Sequence, residues 1–288
     1  MTWSWAFDRL GTEVASRAEL MAIGATPRML TSAVKHGYLV RARRDHYVLP
    51  RADDHLVRAV RVGGRLACDT ALRSYGIFGF DHERTHVVVS PDASRLRSAH
   101  SRRVPLREDD RDRLEVHWSP LIRPDEATAG RVGVVDALAQ VVRCGFWRHA
   151  VASLDNALHL GLVDEGDLTD VFRGLPERLQ GIRDRVDPRC ESGQESVLRL
   201  AFEDAGMRPE LQVQVEGVGR VDGVIDGRLI YEADSRLAHD GWELHVRDRD
   251  RDIDAARAGY MSLRPAYRRV MFATADVVDA ARGLLGIP

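Results

Sequence analysis

The chain has 288 residues, 44% of them hydrophobic and 30% charged, with 42 basic against 44 acidic side chains and a formal net charge of −2. That length suits two domains, or one with a large core, and excludes a single small module. No apolar run reaches the roughly 20 residues that span a bilayer, and the start MTWSWAFDRL lacks the basic segment and apolar stretch of an export signal, so a soluble cytoplasmic protein without a membrane partner is expected. Cys68, Cys144 and Cys190 lie far apart and form no CxxC pair. Their spacing argues against a disulfide framework and a structural zinc, leaving oxygen ligands for any metal. Arginines crowd the first 113 residues and acids the last third, so a local basic face matters more than net charge.

Residues 1–52 read as short helices followed by a β-ribbon. A helix from about Ser16 breaks at Gly24, and a second opens with Thr26 as N-cap and Pro27 at the first helical position, ending near Gly37. The stretch YLVRARRDHYVL then alternates as a hairpin with Arg41, Arg43 and Arg44 at its tip. Helix, turn, helix and basic wing is the order of a winged helix-turn-helix. With Leu30, Ala33 and Val34 turned to the core, Arg28, Thr31, Ser32 and Lys35 face outward as a recognition helix would present them to double-stranded DNA. A solvated helix face beside a charged hairpin fits the same pattern.

Residues 53–187 read as a mixed α/β and helical connector. A helix is expected over 54–78, strands at THVVVS and LEVHWS, and an arginine-rich connection between them that suits a solvated loop better than a phosphate contact. From Val134 to Phe172 the period is helical, with breaks at Gly145 and Gly161. The segment RVDPRCESG around Pro188 is the expected boundary to a last domain, 188–288.

That last domain reads as helix, hairpin, helix, strand and helix, a mixed sheet flanked by helices, and the whole chain as α/β (α+β overall). Its hairpin, GRVDGVIDGRLIYEADS, carries Asp222, Glu232 and Asp234. Carboxylates gathered in one place are costly unless a cation neutralises them, which points to a divalent metal. Because side chains alternate along a strand, only an odd-length turn, such as three residues with Gly227 left-handed, puts these acids on one face. The competing reading is an exposed acidic face paired with arginines, with Arg199 four residues after Glu195 as the nearest partner.

The order Glu195, Gln212, Val221-Asp222, Glu232-Ala233-Asp234 and His239 resembles the PD-(D/E)xK nuclease superfamily, and most of all the branch related to very-short-patch-repair endonucleases. Asp248 and Arg251 on the following helix and GYMSLRPAYRRVM, with Arg264 at the branch's arginine, continue that likeness over about the last hundred residues. The resemblance implies Mg²⁺ or Mn²⁺ held by Asp222, Glu232 and Glu195, with Gln212 in support and Arg264 at the DNA. It implies hydrolysis of DNA phosphodiester bonds, in repair or defence. Asp234 stands where most of the superfamily has lysine, which leaves His239 as the proton shuttle or water-orienting group.

The front of the chain resembles the winged-helix domain of AbiEi-type antitoxins, transcriptional repressors of toxin–antitoxin operons. That likeness implies a partner toxin or a homodimer, and it sustains a second reading in which the nuclease-like domain is inactive. RNA stays open as a substrate, because no residue pattern reads a 2′-hydroxyl.

Overall fold

The computed structural model of the chain describes residues 2–233 and 242–287, and the side chains of all of these except 242–248. The fold is α/β, with three small sheets among the described residues and no closed barrel. It divides into two compact units, Met1–Cys144 with Glu165–Leu175, and Gly145–Asp164 with Pro176–Pro288. No helix of the described residues is long and apolar enough to cross a membrane.

In the first unit, α1 (Trp3–Leu10) starts on the Thr2 hydroxyl and stops at left-handed Gly11. β1 (Ala15–Ser16) leads into α2 (Arg17–Ala22), which opens with a reciprocal Ser16–Glu19 capping box. α3 (Pro27–Lys35) begins as the sequence indicates, with the Thr26 side chain accepting the Met29 N–H and Pro27 in the first turn. β2 (Val40–Arg43) and β3 (His46–Val48) form the wing and complete an antiparallel sheet of order β1-β3-β2. Leu30 and Ala33 are buried with Phe7, Leu20, Leu39 and Tyr47, so α3 turns its Arg28, Thr31, Ser32 and Lys35 side outward. This is the topology of a winged helix-turn-helix.

The helix expected over 54–78 is interrupted. α4 (Asp54–Val62) ends at Gly63 with φ 106°, β4 (Arg65–Leu66) follows, and α5 (Cys68–Ser74) restarts the helix. The cause is the Gly63-Gly64 pair: Gly64 passes so close to β5 (Thr85–Val89) that an added Cβ would lie 2.2 Å from the Val88 carbonyl oxygen. β5 is buried along its whole length, antiparallel to β4 and parallel to β6 (Leu114–Trp118). The arginine-rich connection carries one 3-10 turn at Glu108–Asp112, and Arg95, Arg103, Arg107, Arg111 and Arg113 are exposed. α6 (Val134–Cys144) follows in this unit; α7 (Trp147–His159) belongs to the second, and α8 (Glu165–Arg173) returns to the first.

The second unit holds α7, α9 (Glu177–Gln180) and α10 (Gly193–Asp204), then β7 (Pro209–Val215), β8 (Gly219–Ile225) and β9 (Leu229–Tyr231). α11 (Trp242–Arg257), β10 (Met261–Leu263), α12 (Tyr267–Phe272) and α13 (Thr274–Leu285) complete it. Its four-stranded sheet has the order β10-β9-β8-β7, with β10 parallel to β9 and the other pairs antiparallel. α7, buried from Ala150 to Ala157, packs on α10, which draws part of the helical connector into this unit, ahead of the boundary at Pro188. A buried ion pair reinforces that contact: Asp155 Oδ2 lies 3.0 Å from Arg199 Nη2, with the side chains 0% and 4% exposed.

Candidate functional site

Two surfaces carry the residues singled out by the sequence, one in each unit. On the first, Arg28, Thr31, Ser32, Lys35 and His36 line a shallow groove along α3, beginning at Pro27. Arg44 at the wing tip leaves 90% of its side chain exposed, 3.6 Å from Asp45, and Arg41 approaches the same carboxylate at 4.0 Å. Arg43 departs from the expected cluster. Its Nη1 donates to the Val62 carbonyl at 2.5 Å and to that of Arg61 at 3.3 Å, capping the C-terminal end of α4. Gly63 permits this approach, since a Cβ there would overlap the guanidinium. Burial lowers the Arg43 pKa from its ordinary value. The wing therefore offers Arg41 and Arg44, and Arg43 ties it to the helix behind.

In the second unit the β8–β9 hairpin closes with Ile225 paired to Leu229, so its turn is the odd-length one, residues 226–228, with Asp226 at φ 51° and Gly227 at φ 62°. The register runs to Gly223 opposite Tyr231, and one further step sets Asp222 beside Glu232. The Asp222 carboxylate accepts the Ala233 N–H at 2.7 Å. On the other side of β8, Gln212 falls between the pairs Leu211–Gly223 and Val213–Val221, and so stands opposite Asp222. It does so at φ 51°, a left-handed backbone that costs a non-glycine residue ~1–2 kcal/mol. Such strain persists where the surroundings over-determine it, often at functional sites.

Gln212 Nε2 donates to Glu195 Oε2 at 2.9 Å, and the same oxygen accepts the Glu191 N–H at 2.9 Å. Glu195 sits in the first turn of α10, buried, with its N–H on the Ser192 hydroxyl. Burial pushes its carboxyl above the ordinary range. Burial, and then the charge of Glu195, push Asp222 up to about 7. Arg199, the expected alternative partner of Glu195, pairs instead with Asp155 and Glu203. Among the described residues neither Glu195 nor Asp222 has a cationic partner within ion-pair distance, and Gln212 Oε1 is buried without a hydrogen-bond partner.

Glu232 is in a different state. Arg251 Nη2 lies 2.7 Å from its Oε1 and Arg264 Nη2 2.5 Å from its Oε2, while Arg264 Nε is 3.1 Å from Asp252. Arg264, expected at DNA, is thus ion-paired inside the site. Asp234 and His239 lie outside the described residues, as does the side chain of Asp248.

Mg²⁺ and Mn²⁺ take oxygen ligands, commonly one or two carboxylates completed by water and phosphate oxygens. Glu195 and Asp222 fit that demand, as two carboxylates raised by burial and crowding beside an orphaned amide oxygen. Glu232 does not, since both of its oxygens are engaged by guanidinium groups. The ligand atoms of Glu195, Asp222 and Glu232 do not all come within 4.8 Å of one another. No protein-family model matches the chain, and no curated protein matches it.

Proposed function

We propose that the protein binds double-stranded DNA through its winged helix and hydrolyses a phosphodiester bond at a divalent-cation site built on Glu195 and Asp222. The carrying observation is that buried pair, which faces no cationic side chain among the described residues and stands opposite a strained glutamine. A Mg²⁺ or Mn²⁺ bound there would supply Lewis acidity at the phosphodiester and acidify a bound water.

The chain's own residues then divide the work. Gln212 holds Glu195 by one carboxylate oxygen and leaves the other for the cation. The Ala233 N–H does the same for Asp222. Glu232 holds Arg251 and Arg264 beside the centre, where guanidinium groups can neutralise charge developing on a phosphate. By resemblance, Asp234 belongs to the same constellation and His239 moves the proton. On the DNA, Arg28 and Lys35 reach towards the bases, and Arg41 and Arg44 contact phosphate.

A second reading, favoured by the commitment of Glu232 to two arginines, is a cytoplasmic AbiEi-like repressor, paired with a toxin or with itself, whose nuclease-like unit no longer cuts. Cleavage assays with Mn²⁺ and Mg²⁺ on duplex, single-stranded and RNA substrates, run beside Asp222→Ala and a DNA-binding titration, decide between them. Metal-dependent cleavage lost in the variant with binding intact supports the nuclease; binding without cleavage supports the repressor.

A further inference from the structure

In the first unit, far from the carboxylates in sequence, α5, β6 and α6 bring together Cys68, His117 and Cys144. The Sγ atoms of both cysteines and a ring nitrogen of His117 all lie within 4.8 Å of one another. We propose that these three side chains bind Zn²⁺, leaving a fourth position for water or a small ligand that enters from the adjoining cavity.

The donor set suits zinc, which favours thiolate and imidazole and is tetrahedral. With Zn–S of ~2.3 Å and Zn–N of ~2.0–2.1 Å, an edge between sulfur and nitrogen of a tetrahedral site spans roughly 3.5 Å. Cys144 Sγ lies 3.6 Å from His117 Nδ1. The opposite nitrogen of the same ring is anchored as ligating histidines usually are: His117 Nε2 is 3.1 Å from His86 Nδ1, and His86 Nε2 is 3.1 Å from Asp81 Oδ2. That chain accommodates one consistent tautomer assignment, with His117 Nε2–H donating to His86 Nδ1 and His86 Nε2–H to Asp81, which leaves His117 Nδ1 bare for a metal. Cys68 is held from behind. Its backbone sits at φ 49°, and its buried N–H donates to Gln140 Oε1 at 2.9 Å.

The exposures separate a metal site from a thiol pair acting alone. Cys68 is 0% exposed, so its sulfur is shut off from an external disulfide or substrate, whereas an ion seated between the three groups uses it directly. The open side is the cavity of about 350 Å³ lined by His117, Trp118, Ile122, Gln140, Arg143 and Cys144, among others, which Cys68 does not reach. Three protein ligands with an open position on a cavity is the arrangement of reactive rather than purely structural zinc. This soft-donor site is independent of the oxygen-donor site in the second unit.

The test uses the full chain, purified without immobilised metal and assayed for zinc by mass spectrometry. The metal-free protein is then loaded with Co²⁺, whose spectrum reports thiolate ligation and tetrahedral geometry on the wild type itself. One zinc per chain and a sulfur-to-cobalt charge-transfer band are expected. Both should be lost in Cys144→Ser and His117→Gln and kept in Cys190→Ala, while His86→Gln should weaken zinc affinity by about 10- to 100-fold. Wild-type protein with no zinc after loading and no charge-transfer band, whether its thiols are free or joined as a disulfide, would overturn the proposal.

Discussion

Arg264 Nη2 stands 2.5 Å from Glu232 Oε2, and Arg251 holds the other oxygen at 2.7 Å, so this hairpin glutamate is neutralised by side chains. If this pairing keeps Glu232 away from the cation, Arg264→Gln should strengthen Mn²⁺ binding. It frees one carboxylate oxygen and removes a nearby positive charge, so a gain of about tenfold is expected, equivalent to ~1.4 kcal/mol. Calorimetric titration of the variant checks it; unchanged or weaker Mn²⁺ binding contradicts the isolation of Glu232.

The wing separates two arginines that are neighbours in sequence. Arg44→Glu should weaken binding to any duplex and lower the salt slope of the binding constant by about one, because an exposed phosphate contact releases a counterion. Arg43→Ala should leave that slope unchanged. It should lower the stability of the first unit by ~1.5–3 kcal/mol, the usual worth of hydrogen bonds to a charged group. Equal salt slopes for wild type and Arg44→Glu would remove the wing from the DNA interface.

Asp222 gives the proposed metal site a pH signature. Its folded pKa of about 7 lies above the usual carboxylate value, so between roughly pH 4 and 7 the folded state binds more protons than the unfolded state. Stability should therefore fall as pH rises through that window and level off above it. Asp222→Asn should flatten the decline. Mn²⁺ competes with the proton and should raise the melting temperature more at pH 8 than at pH 5. Identical Mn²⁺ shifts at the two pH values would show that Asp222 is not a ligand.

The buried pair of Asp155 and Arg199 makes a stability prediction for the second unit. Arg199→Ala leaves Asp155 without its cation in a fully buried place and should cost ~3–5 kcal/mol in chemical denaturation. The double variant with Asp155→Ala should cost less than the sum of the two single changes, since the stranded charge is gone. Additive losses would mean that the two groups stabilise the fold separately.

Local signals in the sequence carried the elements: Thr26-Pro27 opens α3, Gly145 separates α6 from α7 and Gly161 follows α7, and the condition that Asp222 and Glu232 share a face asked for an odd-length turn, which stands at 226–228. Contacts between distant segments were not legible. Nothing near Arg43 announces the Val62 carbonyl that turns it inward, and nothing near Glu232 announces both of its guanidinium partners. The wide spacing of Cys68 and Cys144 argued against a shared site, yet β6, which falls between their helices in chain order, sets His117 beside them. The Gly63-Gly64 break was masked by helical composition on either side: the Arg43 guanidinium and a φ of 106° make Gly63 necessary, and the proximity of β5 makes Gly64 so.

The most direct test of the account is cleavage of duplex DNA by the purified chain in Mn²⁺ or Mg²⁺, measured beside Asp222→Ala with DNA affinity recorded for both. Metal-dependent cleavage that chelator abolishes is expected, with a variant that binds DNA as tightly as wild type but does not cut, because the proposal gives Asp222 to the cation and docking to the winged helix. Wild-type protein that binds DNA and cuts no duplex, mismatched or single-stranded substrate under either metal would contradict it.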